Sequence, residues 1–428
     1  MPSNLQDTVA AATAARERQY RQAMIRKSRD TLAPWRRLLL AAVTAYYLFK
    51  VFFRQLYPWG GPVVWPGRQA YGSIDTTNTE ALGQQRVLKI FDNAANDDNA
   101  TSRKSRIKGT ETIVVDPTAK GTIYAMTEEA KLIRVSNVAN DSYGNTATAT
   151  IEVVHDLGNG RPLGGAFTAD GQTLWIADAA LGLMRLRNPT NPQSKVELVV
   201  SSVVTNDDDD DGSSSSKVSK LAYTNDVTIG PQTGKVYFTD ASTVVPTRVK
   251  TRTWDTLYAA KVDMLRGVPS GRLLVYDPAT DEVQVLATGL RFANGISVNG
   301  NDESYLLIGE TFGMRIWKYH LKGPQAGEME VLVSHLPGYV DGLSCSTTEG
   351  GGRQCFAVLQ TLVVPIHKLL AAVPDFVDVW LRYVLLALPR SLAPVGTLVF
   401  RMYLLCEIFS FFSIHFFFMY AWHRKSIP

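Results

Sequence analysis

Three cysteines in 428 residues are too few for a disulfide scaffold. None has a neighbour at metal-ligand spacing, which excludes zinc ribbons and related modules. Histidine is nearly as scarce: there are six, and His155, His320, His335 and His367 are scattered rather than grouped. Basic charge is also short once its location is considered. The formal net charge is +4, but residues 1–37 hold eight Lys/Arg against three Asp/Glu, a surplus of five that leaves the rest near −1. Beyond its leader the chain has no electrostatic footprint for nucleic acid, and no such partner is expected.

What is present begins with an apolar run. Residues 38–53 are apolar apart from Thr44 and Lys50, and Trp35, Tyr57 and Trp59 flank them. This pattern predicts a transmembrane signal anchor over residues 38–57, with Lys50 reaching toward the interface. The charged leader is too long for a cleaved signal peptide, and no small-residue cleavage site follows. By the positive-inside rule the N-terminus stays cytosolic and the rest enters a lumen or the exterior, in the endomembrane system or at the plasma membrane. The sequons at Asn99 and Asn140 agree with that placement and are glycosylation candidates. Cys345 and Cys355 flank a Gly-rich stretch that reads as a hairpin loop. A lumen permits a disulfide between them, although two unpaired buried thiols fit the spacing equally well.

The middle of the chain repeats. Five segments, opening at Glu111, Leu163, Asn225, Asn294 and Asp341, share one grammar. Each has a short alternating strand, a Gly- or Asp-rich turn, then an apolar strand such as TLWIAD or KVYFTD. A third strand such as GRLLVYDP often follows. Short strands recurring without intervening helices predict a β-propeller, whose innermost strands line a central channel. The run NDDDDDGSSSSK, residues 206–217, reads as a solvated loop. It lacks the fixed glycine of an EF-hand, so no calcium is assigned to it.

The openings carry the chemistry. Glu111, Asn225, Asn294 and Asp341 stand at one register, while the second repeat offers only Leu163 and Gly164. Two carboxylates packed together repel unless a cation neutralises them. An all-oxygen set without His or Cys suits a hard divalent ion, Ca²⁺ before Mg²⁺, and excludes Zn²⁺. Asn294 sits in FANGIS, where Asn-Gly would ordinarily announce a hairpin turn. A second Asn-Gly at residues 299–300 supplies the turn, so Asn294 is read as a ligand and Gly295 as space for close backbone approach.

At GRPLGGAF, LWIADAALGLMRL, TNDVTI, KVYFTD, GRLLVYDPATDEVQVLATGLRFANGISV and GETFGMRIWKYHLKGPQAGEMEVLVSHLPGYVDGL the chain resembles the strictosidine synthase-like family. Within it, the likeness is to the adipocyte plasma membrane-associated branch, and it covers residues 107–389. The resemblance implies a six-bladed propeller behind an N-terminal anchor, similar to calcium-dependent lactonases and arylesterases. It implies the ligand role for Glu111, Asn225, Asn294 and Asp341. Three departures stand out. Val340-Asp341-Gly342 replaces the branch's usual Pro-Asp-Asn. No match exists for the last-blade glutamate of strictosidine synthase. After Pro394 an apolar tail takes the place of a sixth blade.

The expected organisation is a leader (1–37), an anchor (38–57), a linker (58–106), an all-β propeller (107–360), a helical insert (361–394) and an apolar tail (395–428). The tail reads either as a second membrane segment or as a replacement for the last blade. Arg401 and Glu407 within it cost about 2–3 kcal/mol each at membrane depth. The expected activity is calcium-dependent hydrolysis of a small-molecule ester or lactone. Asp341 has a second role there, and Asp226 is a candidate base. The alternatives are amine–aldehyde condensation of the strictosidine synthase type, or a non-enzymatic membrane-tethered propeller with a structural calcium. Glu310 and Arg315 are read as a structural pair.

Overall fold

The computed structural model describes residues 17–22, 44, 89–92, 109–140, 146–208, 214–300, 302–347, 353–362, 367, 370 and 375–387. The chain divides into two compact units, Met1–Gly61 and Pro62–Pro428. In the first, residues 17–22 are helical and exposed. Among the described residues every strand lies in the second.

The first sheet contains β1 (Lys89–Asp92), β2 (Ile113–Val115), β3 (Ile123–Met126), β4 (Lys131–Asn140) and β5 (Thr146–Asp156), in the order β1-β5-β4-β3-β2. The second is a plain meander of β6 (Pro162–Phe167), β7 (Thr173–Asp178), β8 (Gly182–Arg187) and β9 (Val196–Val200). A separate hairpin, β10 (Ser202–Asp208) and β11 (Ser214–Lys220), leads into the third sheet. That sheet starts with β12 (Thr224–Ile229) and β13 (Val236–Asp240). It is then interrupted by a hairpin, β14 (Thr247–Lys250) and β15 (Thr253–Asp255), and by helix α1 (Thr256–Arg266). It resumes with β16 (Gly271–Asp277) and β17 (Glu282–Leu290). The fourth sheet is again a meander: β18 (Ala293–Val298), β19 (Tyr305–Glu310), β20 (Arg315–His320) and β21 (Met329–Val333). The fifth pairs β22 (Gly338–Thr347) with β23 (Arg353–Leu362), and α2 (Asp375–Ala387) follows.

Burial falls from the first strand to the last within a meander, as the alternation in sequence requires. All six residues of β18 are buried, whereas four of the five in β21 are exposed. Apolar side chains from facing sheets then close the interior. Tyr124, Met126 and Leu132 meet Leu174, Ile176 and Met184; Trp175 and Leu183 meet Phe238, Leu274 and Tyr276. Leu273 and Val275 meet Ile296, Leu306 and Ile308; Leu307 and Ile316 meet Leu343. Sheets stacked in this way around adjacent first strands make an all-β, propeller-like fold.

Helix α1 has its own signals. Asp255 caps its start by accepting from Tyr258 N at 2.9 Å, and Gly267 ends it at φ 65°. Helix α2 lays Arg382 across the end of α1, donating to the carbonyls of Leu265 and Arg266 at 3.3 Å.

Two sequence expectations change, and the alternative left open for the two cysteines is resolved. Part of 206–217 is ordered: Asn206 pairs with Ser216, Asp207 with Ser215 and Asp208 with Ser214, because Val203 is buried and anchors the hairpin. The linker 58–106 contributes β1, which pairs in parallel with β5. Cys345 and Cys355 lie directly opposite across β22 and β23 and are joined as a disulfide. The anchor apart from residue 44, the tail and Asn99 lie outside the described residues, and Asn140 ends β4. Among the described residues no helix is long and apolar enough to cross a membrane.

Candidate metal centre

Four first strands are irregular at one place. The pairing register shifts between Pro162 and Gly164 in β6, Thr224 and Val227 in β12, Ala293 and Ile296 in β18, and Val340 and Leu343 in β22. A bulge inserts an unpaired residue and re-aims its side chain. The residues inside these bulges are Leu163, Asn225-Asp226, Asn294-Gly295 and Asp341-Gly342, so the repeat openings are the re-aimed positions. Asn294-Gly295 is thus a bulge. The turn comes at Asn299, whose amide donates to Tyr305 O at 2.9 Å and whose carbonyl accepts from Glu303 N at 3.0 Å.

The bulges sit against one another. A Cβ on Gly295 would lie 2.4 Å from Leu343 N and 2.5 Å from Asp341 O, both backbone atoms. One on Gly164 would lie 2.6 Å from Asp226 Cα. Gly295→Ala is therefore expected to destabilise the fold by about 1–3 kcal/mol through overpacking and to weaken calcium binding by moving Asp341. Thermal melting and calcium titration of the variant check both effects.

Two threonines stitch the first strands together. Thr239 accepts from Asp226 N at 3.1 Å and donates to Asn294 O at 2.8 Å. Thr311 accepts from Asn294 Nδ2 at 3.1 Å and donates to Val340 O at 2.7 Å. Asn294 Nδ2 also donates to Asp341 Oδ1 at 2.9 Å, linking two of the expected ligands. Asp226 accepts from Val227 N at 2.9 Å and, with its other oxygen, from Ile296 N at 3.0 Å. Asn225 is buried beside it.

Electrostatics brings the remaining residues in. Burial pushes the Glu111 carboxyl up to about 7; Asp341 and Asp226 add to this, and Arg161 opposes it. Burial likewise lifts Asp226 to about 7, with a contribution from Asp341, against the two backbone donors. Asp341 is raised by burial and held back by Asn294. Glu111, Asp226 and Asp341 therefore feel one another. Arg161 is the balancing cation, 3.5 Å from Glu111 and donating to Gly109 O at 2.8 Å. Glu111, Asp226 and Asp341 give the site an excess of negative charge that Arg161, which also faces Asp178, offsets only in part, and the donors are all oxygen, as calcium prefers. Among the described residues, no His, Cys, Asp or Glu cluster is drawn together tightly enough to hold a metal as it stands. The fit rests on the charge and the donor chemistry.

Reasoning from the repeat missed several residues. Arg161 stands two positions before the second opening, where no oxygen donor drew attention. Tyr223, Phe292 and Tyr339 stand two positions before the last three openings and, with Phe312, form a line of rings with centroids 5.0–5.6 Å apart. Phe292 holds φ 64°, a left-handed backbone unusual for a bulky residue. Beyond it, Tyr339 OH lies 2.9 Å from His367 Nδ1. Burial and the nearby Arg382 and Arg291 hold that imidazole down at about 3, so it is neutral. A second repeated signal is the acid that ends β7, β13 and β19. Asp240 accepts from Tyr223 N at 2.8 Å and Glu310 from Arg291 N at 2.7 Å, pinning the segments that enter β12 and β18. Glu310 also pairs with Arg315, as expected.

Comparison with known proteins agrees with this layout. Residues 225–324, which begin at Asn225 and include Asn294, match the strictosidine synthase family model. A Drosophila melanogaster protein described as adipocyte plasma membrane-associated protein Hemomucin is 29% identical over 68% of this chain and 43% of its own length. The Gallus gallus adipocyte plasma membrane-associated protein is 30% identical over 53% of this chain and 49% of its own length. The chain spans less than half the length of these two. Arabidopsis thaliana strictosidine synthase-like 13 is 25% identical over 86% of this chain and 82% of its own length. Among solved structures, a nidogen/laminin complex aligns with a TM-score of 0.36 at 16% identity, covering 55% of this chain and 68% of that one. A gluconolactonase from Xanthomonas campestris aligns at 0.37 and 14%, covering 58% and 70%. Both scores are too low to bear on ligand or reaction. The resemblance read from the sequence holds: residues 225–324 match the strictosidine synthase family model, and the chain is similar to adipocyte plasma membrane-associated and strictosidine synthase-like proteins.

Proposed function

We propose that this protein is a membrane-anchored six-bladed propeller that hydrolyses carboxylic esters or lactones with the help of one calcium ion at its channel mouth. The observation that carries this reading is the electrostatic influence of Asp226 and Asp341 on Glu111, which is paired with Arg161, together with the placement of Asn225, Asp226, Asn294 and Asp341 in equivalent bulges. Glu111, Asn225, Asn294 and Asp341 would hold the ion. Bound calcium would polarise the substrate carbonyl and stabilise charge developing on its oxygen.

The chain's own groups divide the remaining work. The Asn294 amide fixes Asp341. Asp226, oriented by the Val227 and Ile296 amides, is the proposed base; burial brings its proton affinity near neutrality, where a base is most effective. The rings of Tyr223, Phe292, Phe312 and Tyr339 limit the approach of water from one side. The relatives' names, plasma membrane-associated proteins, support an anchor at residues 38–57 with the propeller lumenal or extracellular. A second reading, a cation that is purely structural, is favoured by Asp226, both of whose oxygens already tie down backbone amides.

The test is direct. The full chain is purified in detergent, its calcium is measured, and aryl acetates and five- and six-membered lactones are screened before chelation, after chelation and after calcium is restored. Hydrolysis that falls on chelation and returns with calcium is expected. Retained calcium without hydrolysis in any state would leave only the structural cation.

A further inference from the structure

We propose that the insertion in the third sheet is a lipid-facing surface that sets the channel mouth against an anionic phospholipid bilayer. The insertion runs from residue 242 to 270 and exposes large apolar side chains where no packing demands them: Val245 at 49%, Val249 at 58% and Leu257 at 58%. All four residues of β14, Thr247 to Lys250, are exposed. Arg248 lies opposite Trp254 and Thr247 opposite Asp255 in this hairpin, and Leu257 follows in the first turn of α1.

Charge selects the partner. Residues 245–261 contain Arg248, Lys250 and Lys261, together with Arg252, which is paired inward with Asp156, and one acid, Asp255, which caps α1. Arg248 stacks over Trp254 at 4.8 Å, joining a cation to an amphipathic ring. Apolar side chains ringed by cations suit the boundary between anionic headgroups and acyl chains. The contrast is the β10–β11 hairpin. Val204 and Val218 are equally exposed there, but they flank the acidic run at residues 207–211, which an anionic surface would repel.

The position gives the surface its meaning. Tyr223 OH donates to Thr256 O at 3.3 Å, placing the start of α1 over the ring that precedes Asn225. Arg252 reaches Asp156 and donates to Gly158 O at 2.7 Å, and Trp254 Nε1 donates to Asn159 O at 2.8 Å. The insertion therefore spans the mouth, its inner side toward the carboxylates and its outer side toward lipid. This inference requires neither calcium nor hydrolysis.

The experiment uses the full chain, with Cys406→Ser, reconstituted into vesicles of phosphatidylcholine with or without phosphatidylserine. Nitroxide labels are placed at Val249→Cys, at Leu257→Cys and, as a reference, at Ala279→Cys in the exposed β16–β17 turn. With phosphatidylserine, the ratio of accessibility to oxygen over a water-soluble nickel chelate should rise about threefold or more at positions 249 and 257, and high salt should reverse it. Position 279 should stay water-like. Arg248→Glu with Lys250→Glu should abolish the rise, and Arg248→Gln with Lys250→Gln serves if the acidic pair does not fold. Labels at 249 and 257 that remain water-like on phosphatidylserine vesicles overturn the proposal. Shielding by added polyglutamate but not by vesicles overturns it in favour of an acidic polypeptide partner.

Discussion

Asp341→Asn should abolish calcium binding while making the calcium-free protein more stable. The two effects share one cause. Asp341 raises the proton affinity of both Glu111 and Asp226, so removing its charge relieves both neighbours. The asparagine still offers Asn294 an oxygen acceptor, which preserves the link between β18 and β22. In the wild type, calcium at a hundredfold excess over its dissociation constant should add about 2.7 kcal/mol of stability, and in the variant none. Glu111→Gln should also lose calcium but gain less without it, because it leaves Arg161 without its carboxylate partner.

The pH dependence follows in sign. Glu111 ionises near 4.5 when unfolded and near 7 when folded, so between these values the folded state keeps a proton that the unfolded chain has released. Asp226 behaves alike, from 3.8 to about 7. The stabilisation from these two groups is fully present below their unfolded values and is lost as pH rises through about 7. The calcium-free wild type should therefore weaken between about pH 4 and 7, Asp341→Asn should flatten that decline, and calcium should remove it. Melting curves across pH, with and without chelator, test all three. Wild-type and variant curves that coincide at every pH would mean that the carboxylates do not interact.

Arg272→Met is expected to cost about 3–5 kcal/mol, the usual consequence of leaving a buried carboxylate without its cation. Asp240 is 1% exposed and is paired with Arg272. Burial pushes the Asp240 carboxyl up, and Arg272 leads the groups that pull it back. The same guanidinium donates to Ser219 Oγ at 2.8 Å and Lys220 O at 2.9 Å, while Asp240 holds Tyr223 N. Losing Arg272 therefore loosens the segment that delivers Asn225 and Asp226, and calcium affinity should fall with stability. Adding Asp240→Leu should recover part of the stability by removing the unpaired charge but not the affinity, since the Ala222 and Tyr223 amides then lose their acceptor. Guanidinium denaturation and calcium titration of the single and double variants separate the two effects.

What could be read in advance depended on whether a signal was periodic. Asn225, Asn294 and Asp341 stand at repeated openings, and the structure places them in equivalent bulges. The bulges themselves were hidden, because register is a property of two strands. The second-strand acids Asp178, Asp240 and Glu310 were visible in IAD, FTD and IGE, but their role depends on amides far along the chain. Arg161 could not be weighed from sequence, since its value is the charge it balances in space. The β10–β11 hairpin was obscured by its aspartates; Val203, the residue that anchors it, is one of two adjacent valines, and its neighbour Val204 is exposed. Helix α1 carried a readable start at Asp255 and stop at Gly267, yet it interrupts the propeller grammar and so fell outside the repeat.

The hydrogen bonds from Arg252 and Trp254 to residues 156–159 also have a mechanical consequence. They run from the third sheet to the segment between the first and second, bridging across the second as a tie beam does across an arch. Glu303 adds a second tie, from the fourth sheet to the third, by accepting from the Gln232 and Thr233 amides at 3.0 and 3.1 Å, and Thr311 ties the fifth sheet to the fourth through Val340 O at 2.7 Å. Glu111 and Asp341 therefore stand at the two ends of a run of sheets that is tied at each step. The first tie includes the half-exposed Arg252–Asp156 ion pair, whose strength falls with salt, so ionic strength tunes the stiffness of that span.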